Sequence, residues 1–195
     1  ASSTNPSYKA LVAQLKENYP SVEHVSYDTV SSGAAVEAYR QVYGESGLAD
    51  YDFSKADVIL SFDADFLGDW QGGSYAKSYV ANRVPKHGHM SHHVQLESNM
   101  TLTGANADKR IPLNTAEIKR ALAALYKALN GGVVSESDSS IAGHVKAMAD
   151  KLRSAGSKAV VVCGVEDVNA QLLTLAINDY LSSESFDPAA PRYVR

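Results

Sequence analysis

Hydrophobic and polar positions alternate along this chain in two rhythms. From Tyr8 to Tyr19 apolar residues recur at helical spacing, with Leu11, Val12 and Leu15 on one face, until Pro20 stops the run. Val22 to Tyr27 reads as a short strand. Ala34 to Tyr43 predicts a second helix, closed by Gly44 at its C-terminal end. Asp57 to Phe62 holds a continuous apolar core, as expected of a strand covered on both faces. Ser74 to Asn82 predicts another helix, and Val94-Gln95-Leu96 another strand.

The passage SNMTLTGANADKRIPL has neither rhythm and reads as irregular. A strong helix follows. Thr115 and Ile118 bracket its start, Leu122, Leu125, Tyr126 and Leu129 form its buried stripe, and Gly131-Gly132 ends it. The polar run Ser135 to Ser140 is a linker or loop. Ile141 to Ala155 is helical, Lys158 to Cys163 is a clear strand, and Val168 to Leu181 is a helix leaving its end. The proline-bearing tail FDPAAPRYVR runs along the surface. Strands separated by helices predict an α/β fold: a doubly wound, mainly parallel sheet with helices on both faces. Residues 1–195 form a single domain, with a sub-boundary in the linker at 131–140. Such folds usually begin with a strand. This chain enters at a helix, without Met or a signal peptide, so the expectation is a processed product or an excised piece whose first strand lies outside it.

At 195 residues the chain is long enough to bury a sizeable core. A net charge of -4 gives no basic footprint for nucleic acid, and no apolar stretch approaches the roughly 18 residues that cross a bilayer. The single Cys163 excludes an internal disulfide and the four-cysteine set of an iron–sulfur cluster. Within Val160-Val161-Val162-Cys163 it reads as a small buried hydrophobe.

Candidate chemistry gathers where strands end, because ligands in this architecture lie outside the carboxyl ends of the strands. Three stretches occupy those ends: Asp63-Ala64-Asp65, the loop Glu97 to Arg110, and Gly164-Val165-Glu166-Asp167. In an extended chain Asp63 and Asp65 share a face, about 6–7 Å apart. Such a pair repels by roughly 2–3 kcal/mol at an effective dielectric near 20. If buried it wants a cation, N–H donors or a shared proton; if exposed it needs nothing. No G-x-G-x-x-G, P-loop or G-x-S-x-G is present. Gly72-Gly73 before Ser74 has two readings: backbone N–H groups exposed to an anion or, the favoured one, a flexible turn. KHGHMSHHV sets His87, His89, His92 and His93 together as candidate metal ligands, without a carboxylate or Cys at the usual spacing. His92 and His93 point to opposite faces if they lie in a strand. The plainer reading is an exposed, partly protonated loop.

VILSFDADF resembles the opening motif of haloacid-dehalogenase-type phosphatases. That resemblance implies Asp63 as nucleophile and Asp65 as acid and base, Thr101 or Thr103 holding phosphate, Lys109 neutralising charge, and Glu166 with Asp167 completing a Mg²⁺ site. Phe-Leu-Gly after the second Asp departs from that family's pattern, and the motif lies deep in the chain.

ADVILSFDADFLGDW, YAKSYVANR and MSHHVQLESNMTLTGANADKRIPL together resemble a different group more strongly. This is the molybdopterin-oxidoreductase-like half of the large iron–sulfur subunit of alternative complex III, a bacterial quinol-oxidising respiratory assembly. The match is densest from Ala56 to Leu113. Where the wider molybdopterin family has a Gly-x-Asn-Pro turn touching the cofactor, this chain has Phe62-Asp63-Ala64-Asp65. Ala107-Asp108 and Ile111-Pro112 match a later element of that family. The resemblance implies a Rossmann-type domain that has lost its cofactor and serves as a non-catalytic scaffold in an electron-transfer complex. A remnant pocket would draw on Asp63, Asp65, Thr103, Asn106, Asp108, Glu166 and Asp167. It further implies no cofactor in this segment and iron–sulfur clusters elsewhere in the parent subunit. Its partners would be the iron–sulfur half of the same polypeptide and the other subunits of a membrane-bound respiratory complex. The implied location is the periplasmic side of a bacterial inner membrane, without direct insertion.

Overall fold

The computed structural model describes residues 5–25, 30–85, 88–133 and 139–193. Four strands, β1 (Val58–Phe62), β2 (His92–Glu97), β3 (Lys109–Pro112) and β4 (Ala159–Cys163), form an all-parallel sheet in the order β3-β2-β1-β4. Seven α-helical segments occur among the described residues: α1 (Pro6–Asn18), α2 (Gly33–Tyr43), α3 (Ala76–Ala81), the single turn α4 (Leu102–Ala105), α5 (Thr115–Leu129), α6 (Ser139–Ala155) and α7 (Val168–Leu181). This is a doubly wound, Rossmann-like α/β arrangement, as the alternation of rhythms predicts.

The order of the strands fixes where a cleft can open. From β1 the chain steps sideways to β2 and then β3. It next crosses back through α5 and α6 to place β4 on the far side of β1. Connections leave β1 and β4 in opposite directions, so the crevice of this fold lies between their carboxyl ends.

Residues two apart share a face of the sheet. Leu60, Phe62, Val94, Leu96, Ile111 and Val161 meet the stripes of α5 and α6, including Ile118, Leu122, Leu125, Val145 and Leu152. On the opposite face Ile59, Val160 and Val162 meet an aromatic group of Tyr39, Tyr51, Phe53, Phe66, Tyr75, Tyr79 and Phe186. α5 starts with a capping box between Asn114 and Glu117. α7 covers the outer edge of β4 with side chains in place of a fifth strand. Asn178 accepts from the Val161 N–H at 2.9 Å and donates to the Val161 carbonyl at 2.7 Å, while Ser183 and Gln171 donate to the carbonyls of Ala159 and Cys163. An open backbone edge is thereby paired.

Two expectations change. The passage read as irregular contains α4 and the edge strand β3. Val22 to Val25 form no strand, and the rest of that expected strand lies outside the described residues. α1 forms where its period predicts a helix, although Leu11 is 62% exposed and the helix has no buried residue. Ser139 and Ser140 begin α6; the remainder of the expected linker lies outside the described residues, as does His87.

Candidate functional site

The extended backbone of β1 ends at Phe62. Asp63 has φ of +57°, a left-handed conformation uncommon for a residue with a side chain. The alternation that would place Asp63 and Asp65 on one strand face therefore stops before it reaches them. β4 turns at Gly164, where a Cβ would meet the Asp63 carbonyl oxygen at 2.1 Å. Only glycine lets the ends of β1 and β4 approach this closely.

Above that contact lies a cleft of about 370 Å³. Its walls are the start of α2 (Ser31, Ser32, Ala35), the strand ends (Asp63, Asp65, Gly164, Glu166) and the loop Asp69 to Gly72, with Gln171 of α7 beneath. Four carboxylates line it, and among the described lining residues there is no Lys, Arg or His.

The carboxylates have different duties. Asp65 Oδ1 accepts from the Thr103 hydroxyl at 2.7 Å and the Thr103 N–H at 3.0 Å, which ties the loop after β1 to the turn α4. The Thr103 hydroxyl in turn accepts from the Leu67 N–H at 2.9 Å. Among the described residues the Asp63 carboxylate accepts one long bond, 3.3 Å, from the Ser98 N–H. Glu166 Oε1 accepts from the Ala34 N–H at 2.8 Å and so occupies the first turn of α2. A helix start attracts anions, and here the chain supplies its own.

The strand-end expectation is met in part. Asp63, Asp65 and Glu166 come together at the cleft. Thr103 sits buried beneath, bonded to Asp65. The other proposed members go elsewhere. Asp167 caps α7 and pairs with Lys119 at 2.9 Å, a pair that lowers its pKa. Asp108 binds Arg83 at 2.6 Å, and the Asn106 amide bonds the Leu102 carbonyl. Thr101 caps α4 and donates to Glu97, and Lys109 stands beside His144. Sequence reasoning missed Asp69, Trp70 and Gln71, whose one signal was the adjoining Gly72-Gly73. Both glycines have positive φ.

The histidines separate. His89 binds Asp57 at 2.9 Å, and His92 lies 3.8 Å from Asp108. His93 is buried, with Nδ1 3.0 Å from the Tyr79 hydroxyl and Nε2 3.2 Å from Gln95 Oε1. Burial pushes its pKa down to about 4. Among the described residues no three His, Cys, Asp or Glu side chains converge to hold a metal ion.

His93 belongs to a second polar system. His93, Gln95 and Glu97 alternate along one face of β2, all fully buried. The Gln95 amide nitrogen lies 3.4 Å from Glu97, and Glu97 accepts from Arg110 Nε at 2.5 Å and the Thr101 hydroxyl at 2.6 Å. Gly104 packs against this carboxylate so tightly that a Cβ would overlap it. The ladder braces α4, and α4 braces Asp65. It supports the cleft from below.

Compared with known proteins, the chain matches no family model and no curated sequence. Function is therefore argued from the site, since a fold of this kind hosts many activities.

Proposed function

We propose that this domain is a non-catalytic scaffold of a respiratory quinol-oxidising complex, built on the frame of a molybdopterin oxidoreductase whose cofactor site has been given up. The observation that carries this reading is the charge of the cleft. In a Rossmann-like frame the crevice between β1 and β4 is where a phosphate-bearing cofactor would lie. Here it presents Asp63, Asp65, Asp69 and Glu166, and Glu166 already fills the helix start that a phosphate would use. A phosphate charge 4 Å from one carboxylate is disfavoured by about 4 kcal/mol at an effective dielectric of 20. These residues do not fit a pyranopterin dinucleotide.

Two titrations test the proposal, each followed by the fluorescence of Trp70, the chain's one tryptophan and a wall of the cleft. A guanine dinucleotide or nucleoside diphosphate should leave the signal flat. The Cys-rich iron–sulfur half of the parent subunit, supplied as a separate chain, should form a stable complex. Micromolar nucleotide binding, or no complex with the iron–sulfur half, would sink the scaffold reading.

One observation favours a second reading: Asp63 and Asp65 share the cleft, as a Mg²⁺-dependent phosphohydrolase would need. Against it, Asp65 is held by Thr103 and Asp167 by Lys119. Melting with Mg²⁺ and beryllium fluoride separates the two. A ligand at ~100 times its Kd adds about 2.7 kcal/mol of stability. The scaffold predicts no shift; a shift abolished by Asp63→Asn would establish the phosphohydrolase.

A further inference from the structure

Past α7 the chain runs back along the aromatic side of the molecule as a strap. Phe186 pairs antiparallel with Tyr51, and Arg192 with Leu48 through two backbone hydrogen bonds of 2.8 Å. Between these points the Tyr39 hydroxyl donates to the Pro188 carbonyl at 2.7 Å. Pro191 lies so close over Gly47 that a Cβ there would sit 2.7 Å from the proline Cβ. The strap is docked along its length.

Its last docked side chain reaches the wall of the cleft. Arg192 Nη2 donates to the Gly73 carbonyl and lies the same 3.0 Å from Ser74 Oγ. The guanidinium also rests 5.0 Å from the centre of the Tyr75 ring and 3.7 Å from Asp50. It grips a strained segment: Gln71, Gly72, Gly73 and Ser74 have successive φ values of 51°, 79°, 74° and 78°. Left-handed backbone is costly at the two residues that are not glycine and persists only where surroundings over-determine it. Short turns close the first part of the segment, with Gly72 N–H on Asp69 and Gly73 N–H on Trp70. The Tyr75 hydroxyl lies within bonding distance of both Gln71 and Asp50. Arg192 joins the far end of the segment to the strap.

We propose that the strap is a latch on the cleft: Arg192 holds Gly73 and Ser74 in their positive-φ form, so lifting the strap from Leu48 releases the adjoining wall from Asp69 to Gly72 while the sheet stays folded. The latch couples whatever binds or displaces residues 186–192 to the shape of the crevice between β1 and β4. This coupling is independent of the scaffold reading.

Amide hydrogen exchange on the full chain tests it, with acrylamide quenching of Trp70 as a second readout. In Arg192→Ala, exchange at residues 71–75 should rise about tenfold or more, and Trp70 should quench more readily, while amides of β1 and β4 keep their protection. Arg192→Lys keeps the charge but loses the planar fork and should fall between, a localised loosening readable even if the alanine variant does not fold. Unchanged exchange at 71–75 in both variants would overturn the latch. So would a rise spread evenly over the loop, β1 and β4, which would make Arg192 a contributor to global stability alone.

Discussion

The two faces of the sheet bury themselves by different physics. On one, α5 and α6 lay Leu122, Leu125, Val145 and Leu152 over Leu60, Leu96 and Val161. On the other, β2 turns His93, Gln95 and Glu97 inward beneath Phe66 and Tyr79. Aliphatic packing has no direction and asks for volume. A buried polar ladder asks for a partner at every position, and each missing partner is expensive. The ladder face holds the loop that carries Asp65, through Thr103 and α4, so the demanding face is the one that shapes the cleft.

The largest expected effect comes from cutting that ladder at its charged end. The Glu97 side chain is fully buried and Arg110 is its cation, 28% exposed. Arg110→Met keeps the apolar stem and removes the guanidinium. Breaking a buried pair from one side costs about 3–5 kcal/mol. The partial exposure of Arg110 lets water offset some of this, so a loss near the lower bound is expected in urea unfolding. A change under ~1 kcal/mol would mean that Glu97 is solvated and the two faces are less different than their packing implies.

Acid should attack the ladder face selectively. Burial holds His93 neutral, with its pKa at about 4 against an ordinary 6.5. The neutral ring has a polar partner at each nitrogen, the Tyr79 hydroxyl at Nδ1 and Gln95 Oε1 at Nε2. Between pH 6.5 and 4 the unfolded chain takes up a proton that the folded ring refuses. The contribution is therefore complete above 6.5 and is lost as the pH falls through that window. At 1.36 kcal/mol per pH unit the full loss is about 3 kcal/mol. His93→Gln should flatten this slope in unfolding curves measured from pH 7 to 4. An equal slope in the variant would assign the acid sensitivity to other groups.

The ladder also marks where sequence reading reaches its limit. Val58 to Leu60 and Ala159 to Cys163 are legible because strands covered on both faces need unbroken apolar runs. The stripe of α5 is legible by its period. β3 is not, because its sequence Lys-Arg-Ile-Pro is what an edge strand uses to blunt its open side, and that chemistry reads as loop. Periodicity gives α1 a face but cannot say whether anything covers it. At the cleft, Asp63, Asp65 and Glu166 follow from their positions just past strand ends. Asn106, Asp108 and Asp167 looked equivalent in sequence, yet one bonds its own turn, one pairs with Arg83 and one caps a helix. Trp70 could not be placed from its neighbours. Its position depends on Tyr51 and Tyr75 and, through the strap, on Arg192, more than a hundred residues away.

The smallest effect is the control that makes the comparison sharp. Leu122 is fully buried on the aliphatic face, against side chains with no directional demand. Leu122→Met conserves volume and should cost less than about 1.5 kcal/mol, because unbranched Met can repack where shape alone matters. Gln95→Met is the matched substitution on the ladder face, equally buried and similar in length. It removes the polar partner of His93 Nε2 and the donor to Glu97 and the Ala64 carbonyl. Buried His93 Nε2 loses its partner, at about 1–3 kcal/mol, and the two 3.4 Å contacts add less, so this variant should lose more stability than Leu122→Met and less than Arg110→Met. Equal losses in urea midpoints would show that volume governs both faces and that the ladder's hydrogen bonds contribute little. A clear gap, with the cleft's Trp70 signal altered only in Gln95→Met, would tie the polar face to the shape of the site it supports.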